Sequence, residues 1–181
     1  TLLLALGFNK SDMINEFYDK EVYNFDSKSK KWKTKFNPEN YKSKNFSEEI
    51  IDAKSNKVII KKGEKINYLK AKKLHSDGLK EIIVSSEFLF GKYLTKQFIL
   101  GEDTFKIGTE LNETIVNKVI EQNITTIETA YTNSINKGPY LLQTIFNDKN
   151  ESKNDAINEI YKVLRPGAVS YTHLRAHETY T

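Results

Sequence analysis

Cysteine is missing from all 181 residues, which excludes disulfides, thiolate metal sites and cysteine nucleophiles and is compatible with a cytoplasmic protein. Arginine is nearly missing too. Of 28 basic residues only Arg165 and Arg175 are arginine, so bidentate guanidinium recognition of phosphate or base edges has two possible sources. There is one tryptophan and one methionine. No apolar run approaches the roughly 20 residues that cross a bilayer, so no membrane association is expected. Leu2–Leu6 lacks the basic n-region and the small-residue cleavage site of a signal peptide. Phosphate-loop, GxGxxG, GxSxG and HExxH patterns are all absent. The carboxylates occur as scattered pairs such as Glu48-Glu49, and nothing resembles an aspartate cluster for a catalytic metal.

What is present is lysine. The net charge is +4 and the isoelectric point about 9.0, a mild basic excess that favours a polyanionic partner. With 38% hydrophobic and 29% charged residues, the chain has the profile of a globular domain, or two small ones. Of the three histidines, His75 is expected at a helix-surface or partly buried position. His173 and His177 have the i, i+4 spacing of a metal pair but fall in a segment, 168–181, that continues no periodicity of the chain. No nucleophilic triad can be assembled.

Hydrophobic patterning gives an α+β reading of mixed helices and small antiparallel sheets. Thr1–Gly7 reads as the end of a buried helix, closed by Gly7, and is followed by a second helix with Ser11 as its N-cap. Val22–Phe25 and Lys31–Phe36 alternate as strands around a hairpin connection at Asp26–Lys30, with Trp32 and Phe36 on one face and the lysines on a solvated one. An internal repeat follows. Gly63, Ile66, Asn67, Leu74 and Ile82 recur as Gly108, Leu111, Asn112, Val119 and Ile127, each 45 residues later. Each copy predicts a strand, a Gly turn, an Asn-capped helix, a left-handed stop at Gly78 or Asn123, and a further strand. Leu141–Phe146 reads as extended, and a final helix capped by Asn154 or Asp155 buries Ile157, Ile160, Tyr161 and Leu164.

That last helix delivers Lys162 and Arg165 to its C-terminal end, where its dipole favours cations. Arg165-Pro166-Gly167 has two readings: an arginine that caps helix carbonyls before a Pro-Gly stop, or one presented to a nucleic-acid backbone or an unpaired base.

Three stretches resemble the β subunit of bacterial RNA polymerase, in family order. They are Leu2–Phe8 with Ile14–Tyr18, Thr126–Asn133 with Lys137–Leu141, and Ala156–Gly167. Leu4 departs from the family, which usually has arginine there. The middle, including Phe88–Lys92 and the repeated units, resembles the lineage-variable insertion of the β lobe. The resemblance implies an interior fragment: 1–45 as the first part of the lobe, 46–132 as an inserted subdomain with a duplicated strand-turn-helix-strand unit, and 133–167 as the return to the lobe. Residues 168–181 are similar to translated sequencing-adaptor text and are expected to be non-native.

The resemblance further implies a transcription role in a DNA-directed RNA polymerase, a nucleotidyltransferase. The lobe helps hold DNA in the main cleft, with Arg165, and more weakly Lys162, as DNA contacts and no catalytic residue or cofactor in the fragment. Magnesium belongs to another subunit, and the implied partners are DNA, the rest of β, β′, α and sigma. An alternative reading is a stand-alone protein-interaction module with mild polyanion affinity. A third, a small hydrolase, would need a pocket with a perturbed acid or base.

Overall fold

In the computed structural model, which describes residues 1–165 apart from 42, 43, 47, 102, 134 and 135, two short helices come first, α1 (Leu2–Ala5) and α2 (Lys10–Phe17). A hairpin follows, β1 (Lys20–Asp26) and β2 (Lys31–Lys35). After a 3-10 turn at Pro38–Tyr41 come β3 (Lys44–Asn45), β4 (Ile50–Asp52), β5 (Val58–Ile60) and β6 (Lys65–Ile66). Helix α3 (Tyr68–Ser76) leads to β7 (Glu81–Val84), β8 (Tyr93–Leu94), β9 (Phe98–Leu100) and β10 (Asp103–Phe105). The chain continues through α4 (Glu113–Glu121), β11 (Thr126–Ala130), α5 (Tyr140–Asn147) and α6 (Lys153–Leu164). The expected tail, 168–181, lies outside the described residues.

The fold is α+β, as the patterning predicts. Seven strands form one antiparallel sheet in the order β5-β4-β7-β2-β1-β11-β8. Two further pairs, β9–β10 and β3–β6, stand apart from it. The β1–β2 hairpin occupies the centre of the large sheet. Asp26 shapes its turn, accepting hydrogen bonds from the Lys28 amide and the Ser29 hydroxyl. Along β2 the side chains alternate as expected: Trp32 and Thr34 are buried, while Lys31, Lys33 and Lys35 lie on the opposite, more open face.

The sheet has a core on each face. Tyr23, Trp32, Ile82, Val84 and Ile127 project to one side, where α3, α4 and a run of rings cover them. That run stacks Phe36 on Tyr41 at 4.8 Å, Tyr41 on Phe46 at 5.6 Å and Phe46 on Phe88 at 6.4 Å. Ala130 pairs with Tyr93 across β11 and β8, and both belong to the other face. There α1, α2, α5 and α6 bring Leu4, Met13, Ile14, Leu142, Ile145 and Ala156 into a second core. Each large aliphatic side chain buried this way contributes about 1.5–3 kcal/mol relative to exposure.

The two helices of the repeated pattern fall in register, α4 lying 45 residues after α3 at both ends. Asn67 and Asn112 cap them, accepting from the amides of Lys70 and Ile115. The strands after them, β7 and β11, flank the central hairpin on its two sides. The strands before them diverge: β5 is an edge of the large sheet, and β10 pairs with β9 in a separate two-stranded sheet. Their burial differs as well. Helix α4 buries Ile115, Val116 and Val119, whereas α3 buries Ala71.

Four local expectations are corrected. Leu141–Phe146 is helical within α5, because burying Leu142 and Ile145 against the second core needs i, i+3 spacing; a short apolar run alone does not separate strand from helix. The α2 cap is Asn9, one residue before the helix, and it accepts from the Asp12 amide; Ser11 sits inside the first turn. The α6 cap is Ser152, in a capping box with Asp155, so the aspartate is the third helical residue and not the cap. Leu164 is 75% exposed, and Ala156 is the fully buried residue of that helix.

Candidate nucleic-acid interface

The end of α6 carries both cations singled out from the sequence. Ser152 and Asp155 fix the helix start through reciprocal side-chain and backbone hydrogen bonds. Beside the first turn, the buried Asn150 binds the Asp148 carboxylate at 3.0 Å, the Thr1 hydroxyl at 3.2 Å and the Glu159 carboxylate. Helix α1 packs along α6. One end of the helix is thereby anchored, and at the other Lys162, Val163, Leu164 and Arg165 are exposed among the described residues.

Arg165 is the C-cap, and its amide donates to the Tyr161 carbonyl at 2.9 Å. Its backbone bond therefore closes the last turn, and its side chain is exposed. The guanidinium lies 6.0 Å from the centre of the Tyr161 ring, at the outer limit of a cation–π contact. Lys162, three residues earlier, shares that side of the helix and is exposed. Neither cation is in an ion pair among the described residues. Two unpaired cations at a helix C-terminus suit an anionic or hydrogen-bond-accepting partner, and the planar guanidinium offers a fork of donors to phosphate or a base edge. Pro166 and Gly167 lie outside the described residues.

Sequence reasoning missed the polar groups at the other end of the sheet. Glu21 accepts from the Lys92 ammonium at 2.7 Å, from Asn40 at 2.9 Å and from the Tyr23 hydroxyl at 3.0 Å. Burial alone would raise its carboxyl; the Lys92 charge and these three hydrogen bonds outweigh that and hold it below the ordinary carboxylate range. Lys92 also sits over the rings of Tyr23 and Phe88, at 5.3 and 5.1 Å. Glu128 is likewise held low, burial opposing but Lys96, Lys20 and Thr95 prevailing. No sequence signal pointed to these partners, because Glu21 and Lys92 are 71 residues apart. Glu21 and Lys92 neutralise each other and Glu128 is shared by Lys20 and Lys96, so both clusters fit a structural role.

No group of three or more histidine or acidic side chains is placed to hold a metal ion among the described residues. No described helix is long and apolar enough to cross a membrane.

Comparison with known proteins gives the context for α6. No protein-family model matches the chain. Individual relatives do. It is 33% identical over 170 residues to the DNA-directed RNA polymerase subunit beta of Rickettsia felis, a match covering 92% of this chain and 12% of the relative. The same subunit of Rickettsia rickettsii (strain Sheila Smith) is 32% identical, and that of Rhizobium leguminosarum bv. trifolii 31%, over the same shares of each chain. The chain corresponds to an internal segment of the RNA polymerase β subunit. It spans about one eighth of the length of these relatives.

The three stretches that resemble the β subunit meet in the second core of this β segment. Leu4, Ile14 and Tyr18 come from the first, Ala130 and the partly buried Leu141 from the second, and Ala156 from the third. The departure at Leu4 has a structural counterpart. Its side chain is 4% exposed among apolar neighbours, a place that suits leucine and would strand an unpaired arginine. The exposed end of α6 thus grows out of the core that the β-like stretches build.

Proposed function

We propose that this β segment is part of the lobe that helps hold DNA in the main cleft of a DNA-directed RNA polymerase. It carries no catalysis of its own within a nucleotidyltransferase that copies DNA into RNA. The observation that carries this reading is the match to β subunits across 92% of the chain. Arg165 and Lys162 at the end of α6, exposed and in no ion pair among the described residues, support it. In this reading Arg165 meets the displaced DNA strand of the melted bubble, with Lys162 adding charge beside it. The rest of β, β′, α and sigma complete the cytoplasmic enzyme, and the catalytic magnesium is held by another subunit.

The test uses the whole polymerase carrying Arg165→Ala in β. Promoter complexes are challenged with heparin and their lifetime is followed, alongside nucleotide addition on a preassembled scaffold. The expected result is a lifetime shortened about 5- to 20-fold with nucleotide addition unchanged, corresponding to the loss of one charged hydrogen-bonding contact of about 1–2 kcal/mol. An unchanged lifetime rejects the DNA contact.

A further inference from the structure

The two helical units in register carry opposite charge. Residues 62–82 hold six lysines against three carboxylates, whereas 107–127 hold one lysine against three. The single lysine of the second unit, Lys118, is paired with Asp103. In the first unit Lys70 is paired with Glu64, and the remaining lysines have no ion pair among the described residues. Of the two units, the basic one is therefore the first, on the α3 side of the central hairpin.

Next to the C-terminal end of α3 this surface opens into a groove of about 820 Å³. Lys35 borders it from the end of β2, Lys54 from the β4–β5 turn, Lys80 from the approach to β7 and His75 from α3. All four are exposed. Two carboxylates share the groove, and one of them is committed. Asp52 accepts from the amides of Lys54 and Ser55 and from the Ser55 hydroxyl, all within its own turn. Asp52 keeps its charge, so with Glu81 the groove sets three ammonium groups, none in an ion pair among the described residues, against two carboxylates. His75 is oriented by the Leu79 carbonyl, 3.1 Å from its Nδ1, so that ring nitrogen carries the proton and Nε2 is left for another partner. Phe36 at the groove is 3% exposed and offers no stacking platform for a base, so the open ring among the lining residues is the small His75 imidazole.

We propose that this groove binds the phosphates of a nucleic-acid backbone, through Lys35, Lys54 and Lys80 with His75 beside them. Three flexible ammonium point charges beside a single imidazole match backbone contact rather than base reading. The site is built on the first core, whereas α6 and Arg165 rise from the second, so it is a separate contact. The choice of nucleic acid over other polyanions rests on the proposed role in holding DNA.

The experiment titrates the full chain against a 5′-fluorescein-labelled 20-nucleotide single strand and a 20-base-pair duplex, reading anisotropy over a range of salt. Lys35→Gln/Lys54→Gln/Lys80→Gln is compared with a control of equal charge change, Lys106→Gln/Lys118→Gln/Lys137→Gln. Thermal melts verify that both variants fold. The groove variant is expected to bind at least about tenfold more weakly, and its salt slope to fall by about 2 to 3, one phosphate contact per lysine. The control is expected to stay within about threefold. The His75 ring resonances should shift on adding oligonucleotide to the wild-type chain.

Equal losses in the two variants, no loss in either, or unmoved His75 signals overturn the proposal. So does binding of inorganic pyrophosphate without binding of either oligonucleotide. The Arg165 reading fails separately: unchanged promoter-complex lifetimes in Arg165→Ala reject it, whatever the groove variant does.

Discussion

Lys92 donates a 2.7 Å hydrogen bond to Glu21 inside the sheet edge, and the two side chains are only 14% and 12% exposed. Their geometry joins the start of β1 to the residue just before β8, on either side of β11. Removing one partner leaves the other charge largely desolvated. Lys92→Met is expected to cost about 3–5 kcal/mol, and the double variant Glu21→Gln/Lys92→Met clearly less. Urea unfolding of the single and double variants measures both, and a double variant as unstable as Lys92→Met refutes the pairing.

The same carboxyl sets an acid dependence. Glu21 titrates below its ordinary range in the folded protein, so it binds protons more readily when unfolded. Its contribution is therefore present above the ordinary carboxylate value of about 4.3 and is lost as pH falls through its lowered folded value. The stability gap between the wild-type chain and Glu21→Gln is expected to be widest near neutral pH and to close in acid. A gap that stays constant from neutrality down through that acid range contradicts it.

Gly63 and Gly108 take the same left-handed backbone, φ +80° and +83°, at corresponding points before α3 and α4. A methyl at Gly63 meets nothing within 4 Å, whereas one at Gly108 would lie 2.4 Å from the Leu142 carbonyl oxygen in α5. Gly63→Ala is expected to cost only the left-handed strain, about 1–2 kcal/mol. Gly108→Ala should cost at least about 2 kcal/mol more, by displacing α5. Thermal melts of the pair read the difference directly, and equal costs rule out the close approach.

Trp32, the sole tryptophan, is fully buried at the centre of the sheet, and its indole N–H donates to the Ser86 hydroxyl at 3.2 Å. Its emission should be blue-shifted in the folded chain and move red on unfolding. Ser86→Ala leaves the donor without its partner and is expected to cost about 1–3 kcal/mol. Unchanged stability together with unchanged emission refutes the bond.

Much of the local structure was legible in the sequence because its causes lie within a turn of the chain. The alternation around Trp32 gave the buried and open faces of β2. The Asn67 and Asn112 caps and the left-handed residues Gly78 and Asn123 bounded both helices of the repeated pattern. The placement of Lys162 and Arg165 at the end of a helix followed from the apolar spacing of Ile157, Ile160 and Tyr161. Where the reading went astray, the deciding contact lay elsewhere: Leu141–Phe146 is helical because of what Leu142 and Ile145 reach in the second core.

By itself, then, the sequence determined which short segments could be helix or strand, where their ends were capped and which family its three β-like stretches resemble. Only the tertiary structure decided that the β1–β2 hairpin lies at the middle of seven strands, that Glu21 meets Lys92, and that Lys35, Lys54, Lys80 and His75 border one groove. The reason is range. Caps and periodicity act over three or four residues, whereas strand order and the meeting of charges depend on where distant segments return to bury their apolar faces.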